Sequence, residues 1–134
     1  MNIVYSQEKN ITAETLLAFF KESGSSDAQY GDKLAAAVLN SSTVITAWDK
    51  DEDNKLAALI TALDDGALSA YVRLMTVAPA YRGKGINDEL LKQIQDIYKD
   101  YPFVYSIASD DFHAGFFIKA GFKPMEGAKV VTTR

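Results

Sequence analysis

Apolar positions along the chain follow two spacings, one suited to strands and one to helices. Ile3, Val4 and Tyr5 predict a short strand over residues 2–7. Leu16, Leu17 and Phe20 then predict a helix, with Thr12 as its cap, Ile11 packed on Leu16 and Gly24 just past its end. A second helix is expected with Asp27 as its cap and with Tyr30, Leu34, Ala37 and Val38 on one face. The β-branched and aromatic run at residues 43–48 predicts a strand, and Lys50 to Asn54 a polar turn. Residues 56–63 are almost wholly apolar and predict a central strand.

Asp64-Asp65-Gly66 predicts a hairpin turn, because Asp-Gly tolerates the positive φ of a tight turn. The returning strand, residues 67–77, is the fourth. Strict alternation places Leu68, Ala70, Val72 and Leu74 on one face, and Ser69, Tyr71, Arg73, Met75 and Val77 on the other. After a glycine-containing break, Ile86, Leu90, Leu91, Ile94, Ile97 and Tyr98 recur at helical spacing until Pro102 ends the run. A strand over 103–108, a short helix over 112–120 and a strand-like tail at 129–133 complete the order β-α-α-β-β-β-α-β-α-β. The expected class is mixed α/β (α+β), with a mostly antiparallel sheet of about six strands and about four helices.

Composition narrows the function. The 134 residues are 48% apolar and 24% charged, which suits one folded domain, 1–134, with a real core. No cysteine is present and His113 is the only histidine, so no thiolate or histidine-rich metal site is expected. The net charge of -4 gives no broad attraction for a nucleic-acid backbone. No membrane span or signal peptide is expected, and the cytoplasm is the expected compartment.

The informative segment runs from Val77 through Arg82-Gly83-Lys84-Gly85 to Asn87. A strand ends, a basic loop with two glycines follows, and a helix begins. Free N–H groups at a helix start favour anions, and glycines let a phosphate approach the main chain. The chemistry fits a phosphate or pyrophosphate cradle; the other reading is an ordinary strand-to-helix turn with solvated basic side chains. A Walker loop is excluded, since Gly85 follows Lys84, and a dinucleotide fingerprint is excluded, since Asp88 stands where its last glycine would be.

These residues resemble the GNAT superfamily of acyl-CoA-dependent N-acetyltransferases. The family motif Q/R-x-x-G-x-G/A, usually preceded by V-x-P, matches at Val77, Pro79, Arg82 and Gly85 and departs at Asn87. A second signature, N-x-x-A-x-x-L/F-Y-x-K-x-G-F, falls on residues 110–122. It matches at Phe116, Lys119, Gly121 and Phe122 and departs at Asp110, His113 and Phe117. The order of elements is similar to the family fold from end to end.

The resemblance implies acetyl-CoA as cosubstrate and a primary amine of a small molecule or peptide as acceptor. It implies that main-chain groups of Met75 and Val77 hold the pantetheine arm. The amides of Arg82, Gly83, Lys84, Gly85, Ile86 and Asn87 would hold the pyrophosphate, with Asp110 and Phe117 at motif positions on the cofactor side. The thioester would sit where the fourth and fifth strands part. Tyr71, Asp64 and His113 are the candidate catalytic groups. Each has a plainer reading: strand packing for Tyr71, as for Arg73 beside it, turn formation for Asp64 and Asp65, and a helix-start role for His113. Phe117 removes the phenol that relatives use as an acid. The alternative function is therefore a CoA-binding or partner-binding module with little or no catalysis. A homodimer is left open.

Overall fold

In the computed structural model, which describes residues 1–134, five strands lie side by side in chain order. They are β1 (Ile3–Ser6), β2 (Thr43–Asp49), β3 (Lys55–Asp64), β4 (Ser69–Val77) and β5 (Phe103–Ser106). β1 to β4 pair antiparallel through short connections or, between β1 and β2, through two helices. β4 and β5 pair parallel. Parallel neighbours need a crossover, and α3 (Ile86–Ile97) provides it. α1 (Ala13–Glu22) and α2 (Asp32–Leu39) precede β2, and α4 (Asp111–Lys119) follows β5.

Local chemistry explains most boundaries. Thr12 caps α1 by accepting the Thr15 N–H at 3.1 Å, and Ile11 and Leu16 are both buried. The expected helix from Asp27 is instead two pieces. Ser25, not Asp27, caps a 3-10 turn over Ser26–Tyr30, and α2 starts only after Gly31. Gly31 has φ +55, a backbone conformation that glycine takes without strain and that interrupts the helix. In the hairpin, Asp65 Oδ1 accepts the N–H groups of Ala67, Leu68 and Ser69, so β4 begins at Ser69 rather than 67.

The expected sixth strand at 129–133 is not formed. Val130 and Val131 are exposed and the tail pairs with no strand. Its β-branched residues fit a pleated surface, but strand preference is realised only against a neighbour. The sheet therefore has five strands and the fold four α-helices.

The alternation read for β4 also breaks. Thr61 pairs with Leu74 but Ala62 pairs with Val72, so Arg73 is an extra residue in a β-bulge. Residues paired across an antiparallel ladder share a face. Val72, Met75 and Val77 accordingly lie with Ala62, Ile60 and Ala58, while Tyr71, Leu74 and Thr76 lie on the opposite face. Tyr71 and Met75, expected on one face, are on different ones.

The Met75 face is covered by α3. Tyr98, just past its end, donates to Asp64 Oδ2 at 2.7 Å and shares a 2.7 Å bond with Thr43 Oγ1. Leu90, Leu91 and Ile94 are fully buried together with Ile45 and Ile60. α2 covers the other face, with Leu34 and Ala37 opposite Thr61, Leu63 and Leu74.

Candidate functional site

Past the bulge, β4 keeps β3 on one side and has an open edge on the other. β5 follows β4 only as far as the pair Val72–Ser106, where Ser106 Oγ donates to Val72 O at 3.1 Å. Beyond it, residues 73–77 have β3 on one side and no strand on the other. Two main-chain bonds fix which groups point where. Ala78 N–H donates to Ala57 O at 2.8 Å, and Asp65 N–H donates to Ser69 O at 3.1 Å. Hydrogen bonding alternates along an antiparallel ladder. Leu74 and Thr76 thus turn their main-chain groups to β3, and Met75 and Val77 turn theirs to the open side.

The open edge runs into the glycine loop. After the 3-10 turn Pro79–Tyr81, Gly83 and Gly85 take φ values of +74 and +82. Gly85 caps α3 with no side-chain hydrogen bond, so no capping side chain covers the first-turn N–H groups. A Cβ at Gly83 or Gly85 would meet no atom within 4 Å, so the space above the loop is clear. Lys84 is exposed beside it. Arg82 is used differently from Lys84: its Nε donates to Val77 O at 3.1 Å and its Nη2 to Ser23 O at 2.9 Å. Its side chain fastens the loop to β4 and to the end of α1, while its own amide stays in the loop.

A second anchor was not apparent from the sequence. Tyr81, buried at the foot of the loop, donates to Asp49 Oδ2 at 2.8 Å. Asp49 Oδ1 accepts the N–H groups of Asn2 and Asp51. These partners, the Asn2 N–H first and then the Tyr81 hydroxyl, hold the Asp49 carboxyl below its ordinary range. Burial, followed by Asp49 itself, pushes Tyr81 up to about 12. An aspartate ending a strand and a tyrosine after a proline gave no pairing signal, because they are 32 residues apart.

α4 is fastened to α3. Gln95 Nε2 donates to Ala120 O at 2.8 Å, and Lys119 Nζ lies 3.4 Å from Asp88 Oδ2 in the first turn of α3. Asp110 caps α4, accepting the His113 N–H at 2.8 Å, and the His113 Nδ1 lies 2.7 Å from the same oxygen. The His113 main-chain N–H, then its ring, lowers the Asp110 carboxyl. Phe117 is half-buried and packs edge-on against Phe122 at 5.3 Å.

The sequence-derived site residues thus divide. Met75, Val77 and residues 82–87 meet at one end of β4. Asp64 does not join them: it pairs with Ala70, before the bulge, and its carboxylate accepts from Tyr98 and from the Gly66 N–H. His113 is exposed and bonded to Asp110. Tyr71 lies on the α2 face. No group of three or more His, Asp or Glu side chains converges to hold a metal ion.

That α2 face holds a cavity of about 370 Å³ between α2, the 3-10 turn before it, and β3 and β4. Arg73 and Leu74, the two bulge residues, form part of its wall, so it begins where β4 and β5 part. Arg73 Nη1 lies 3.8 Å from Asp27 Oδ2 across this space.

A family model, Acetyltransferase (GNAT) domain, matches residues 5–132. The chain belongs to the GNAT acetyltransferase family. Solved GNAT structures are similar in fold over nearly the whole chain. A GNAT-family acetyltransferase from Streptococcus pneumoniae is 21% identical with a TM-score of 0.76, covering 99% of this chain and 100% of the other. A Staphylococcus aureus protein of unknown function, termed a probable acetyltransferase, is 20% identical with a TM-score of 0.77 and 99% coverage of both chains. The acetyltransferase-fold structure of AAC(6')-Iy, in complex with the bisubstrate analogue CoA-S-monomethyl-acetylneamine, is 13% identical with a TM-score of 0.72, covering 100% and 99%. No curated protein sequence matches the chain. No helix is long and apolar enough to cross a membrane.

Proposed function

We propose that this GNAT protein is an acetyl-CoA-dependent N-acetyltransferase whose acceptor is a primary amine of a small molecule or peptide, with residues 1–134 acting as one domain in the cytoplasm. One observation carries the proposal: the main chain of Met75 and the N–H of Val77, on the edge that β5 does not cover, lead directly into the glycine loop at the start of α3, with the Val77 carbonyl held by Arg82 Nε. An extended pantetheine arm suits that edge, because its amides can complete the ladder that β5 abandons. A pyrophosphate suits the uncapped N–H groups and the clear space above Gly83 and Gly85. AAC(6')-Iy, similar in fold, is known in complex with a CoA-containing analogue.

In the proposed reaction the amine nitrogen attacks the thioester carbonyl carbon. A C–N bond forms, the C–S bond breaks, the acetyl group ends on the amine, and the sulfur leaves as thiolate. The chain aligns the reactants and supplies a main-chain N–H near the bulge for the charge growing on the carbonyl oxygen. The ammonium proton leaves to water or to a nearby side chain. A thiol of pKa about 8.5 leaves readily as thiolate, so Phe117 in place of a phenol slows the step without forbidding it.

Phe117 also supports the second reading, a module that binds CoA with little turnover. Thiol release from acetyl-CoA against a panel of amines separates the two. Release with at least one amine carries the enzyme reading. Stabilisation by CoA without release carries the module. Neither result would exclude both.

A further inference from the structure

We infer that the cavity beside the β4 bulge selects an acceptor that carries a carboxylate next to its amine and an apolar body, as an apolar α-amino acid does. The inference rests on the acetyl-transfer reading above and names the acceptor class for that site. Its floor and walls are largely apolar, with Leu34, Ala37, Leu63 and Leu74 around about 370 Å³. That is within the size range of small-molecule sites. An apolar side chain is therefore favoured inside.

The charges lie at the bulge. The Arg73 side chain makes no hydrogen bond within the protein; its nearest anion is Asp27, at a loose 3.8 Å, and both side chains are partly exposed. A guanidinium offers a planar fork that matches a carboxylate. Lys33 also lines the cavity, so the lining carries two cations against one anion and favours a negative group on the ligand. Bulges re-aim side chains, and this one sets Arg73 next to Val72, the last residue paired to β5. A carboxylate on Arg73 places an α-amine beside the point where the strands part, which is where the thioester is proposed to sit. Asp27, freed from Arg73, can hold the ammonium form before transfer. An amine far from its carboxylate would not satisfy both positions at once.

The test compares leucine and phenylalanine with isoamylamine and phenethylamine, which lack only the carboxylate, in acetyl-CoA thiol release. The amino acids should be preferred in kcat/KM by about tenfold or more, mostly through KM. Arg73→Met should bring that ratio close to one, and Arg73→Lys, which keeps charge but not the fork, should fall between. Calorimetric titration of leucine into the protein reads the same contact without turnover, and binding should weaken in Arg73→Met. Equal kcat/KM for acid and amine in the wild type, or leucine binding that is absent or indifferent to Arg73→Met, overturns the inference. Thermal stabilisation by CoA is read alongside, and its failure counts separately against the acetyl-transfer reading.

Discussion

Tyr81 donates its hydroxyl to Asp49 Oδ2 at 2.8 Å, and this bond joins the foot of the glycine loop to the end of β2. Asp49 in turn takes the Asn2 and Asp51 N–H groups, so one carboxylate orders β1, the β2–β3 turn and the loop together. Tyr81→Phe should lower the melting temperature and weaken CoA together, since the loop loses one of its two anchors while residues 82–87 are intact. Thermal melts and a CoA titration on the same variant check it. Lower stability with unchanged CoA affinity would separate the anchor from the site.

Acid and alkali should destabilise the fold by different groups. The carboxyls of Asp49, Asp65 and Asp110 are lowered in the fold, mainly by main-chain N–H donors. Their contribution is complete above the unfolded carboxylate pKa of about 3.9 and disappears as pH falls through the folded values. Tyr81 and Tyr98 are pushed up to about 12, chiefly by burial. Their contribution is present below about pH 10 and disappears as pH rises toward 12. Urea unfolding across pH should show both edges. Asp49→Asn should flatten the acid side and Tyr98→Phe the alkaline side.

Thr61 Oγ1 is buried without a hydrogen-bond partner. An unmatched buried hydroxyl costs about 1–3 kcal/mol, so Thr61→Val, similar in shape, should stabilise the protein by about 1 kcal/mol. A rise in the urea midpoint at constant m-value is the expected sign; a fall would contradict it.

Phe117 is half-buried against Phe122 rather than sealed in the core. Phe117→Tyr should therefore cost less than about 1 kcal/mol and raise acetyl-transfer turnover, at or below the low end of the ~10²-fold typical of a positioned acid. Melting temperature and kcat, measured on one preparation, decide it. A loss of stability with unchanged kcat would take Phe117 away from the proposed site.

The pH dependence of kcat/KM tests for a side-chain base. Asp64 and Asp65 are held in turn hydrogen bonds, so Asp64→Asn and Asp65→Asn should lower stability and leave the apparent pKa in place. Tyr71→Phe and His113→Ala should leave it too, making water or the amine itself the proton carrier. A variant that removes the pKa would identify its residue as the base.

Elements with a strong local signal were legible in the sequence. The β-branched and aromatic run of residues 43–48, the apolar run of 56–63 and the helical spacing from Ile86 each became an element close to the expected bounds. The glycine spacing located the loop. What failed depended on distant residues. The bulge at Arg73 follows from register with Thr61 and Ala62, which a period-two reading cannot detect, and it moved Tyr71 to the other face. Gly31 divided a helix that periodicity alone would continue. The tail has strand-forming residues but no neighbour. Of the proposed site, the loop was visible in its glycine spacing, and the Met75–Val77 edge only through the family resemblance. The Tyr81–Asp49 anchor and the Asp27–Arg73 pair come from folding alone.

Titration of CoA into ¹⁵N-labelled protein, followed by amide resonances, tests the central claim most directly. The N–H groups of Met75 and Val77 face the open edge, whereas those of Leu74 and Thr76 are bonded to β3. CoA should shift Met75, Val77 and the amides of residues 83–87 strongly, and Leu74 and Thr76 much less. No shift along β4 and the loop at millimolar CoA, or shifts confined to another part of the fold, would contradict it.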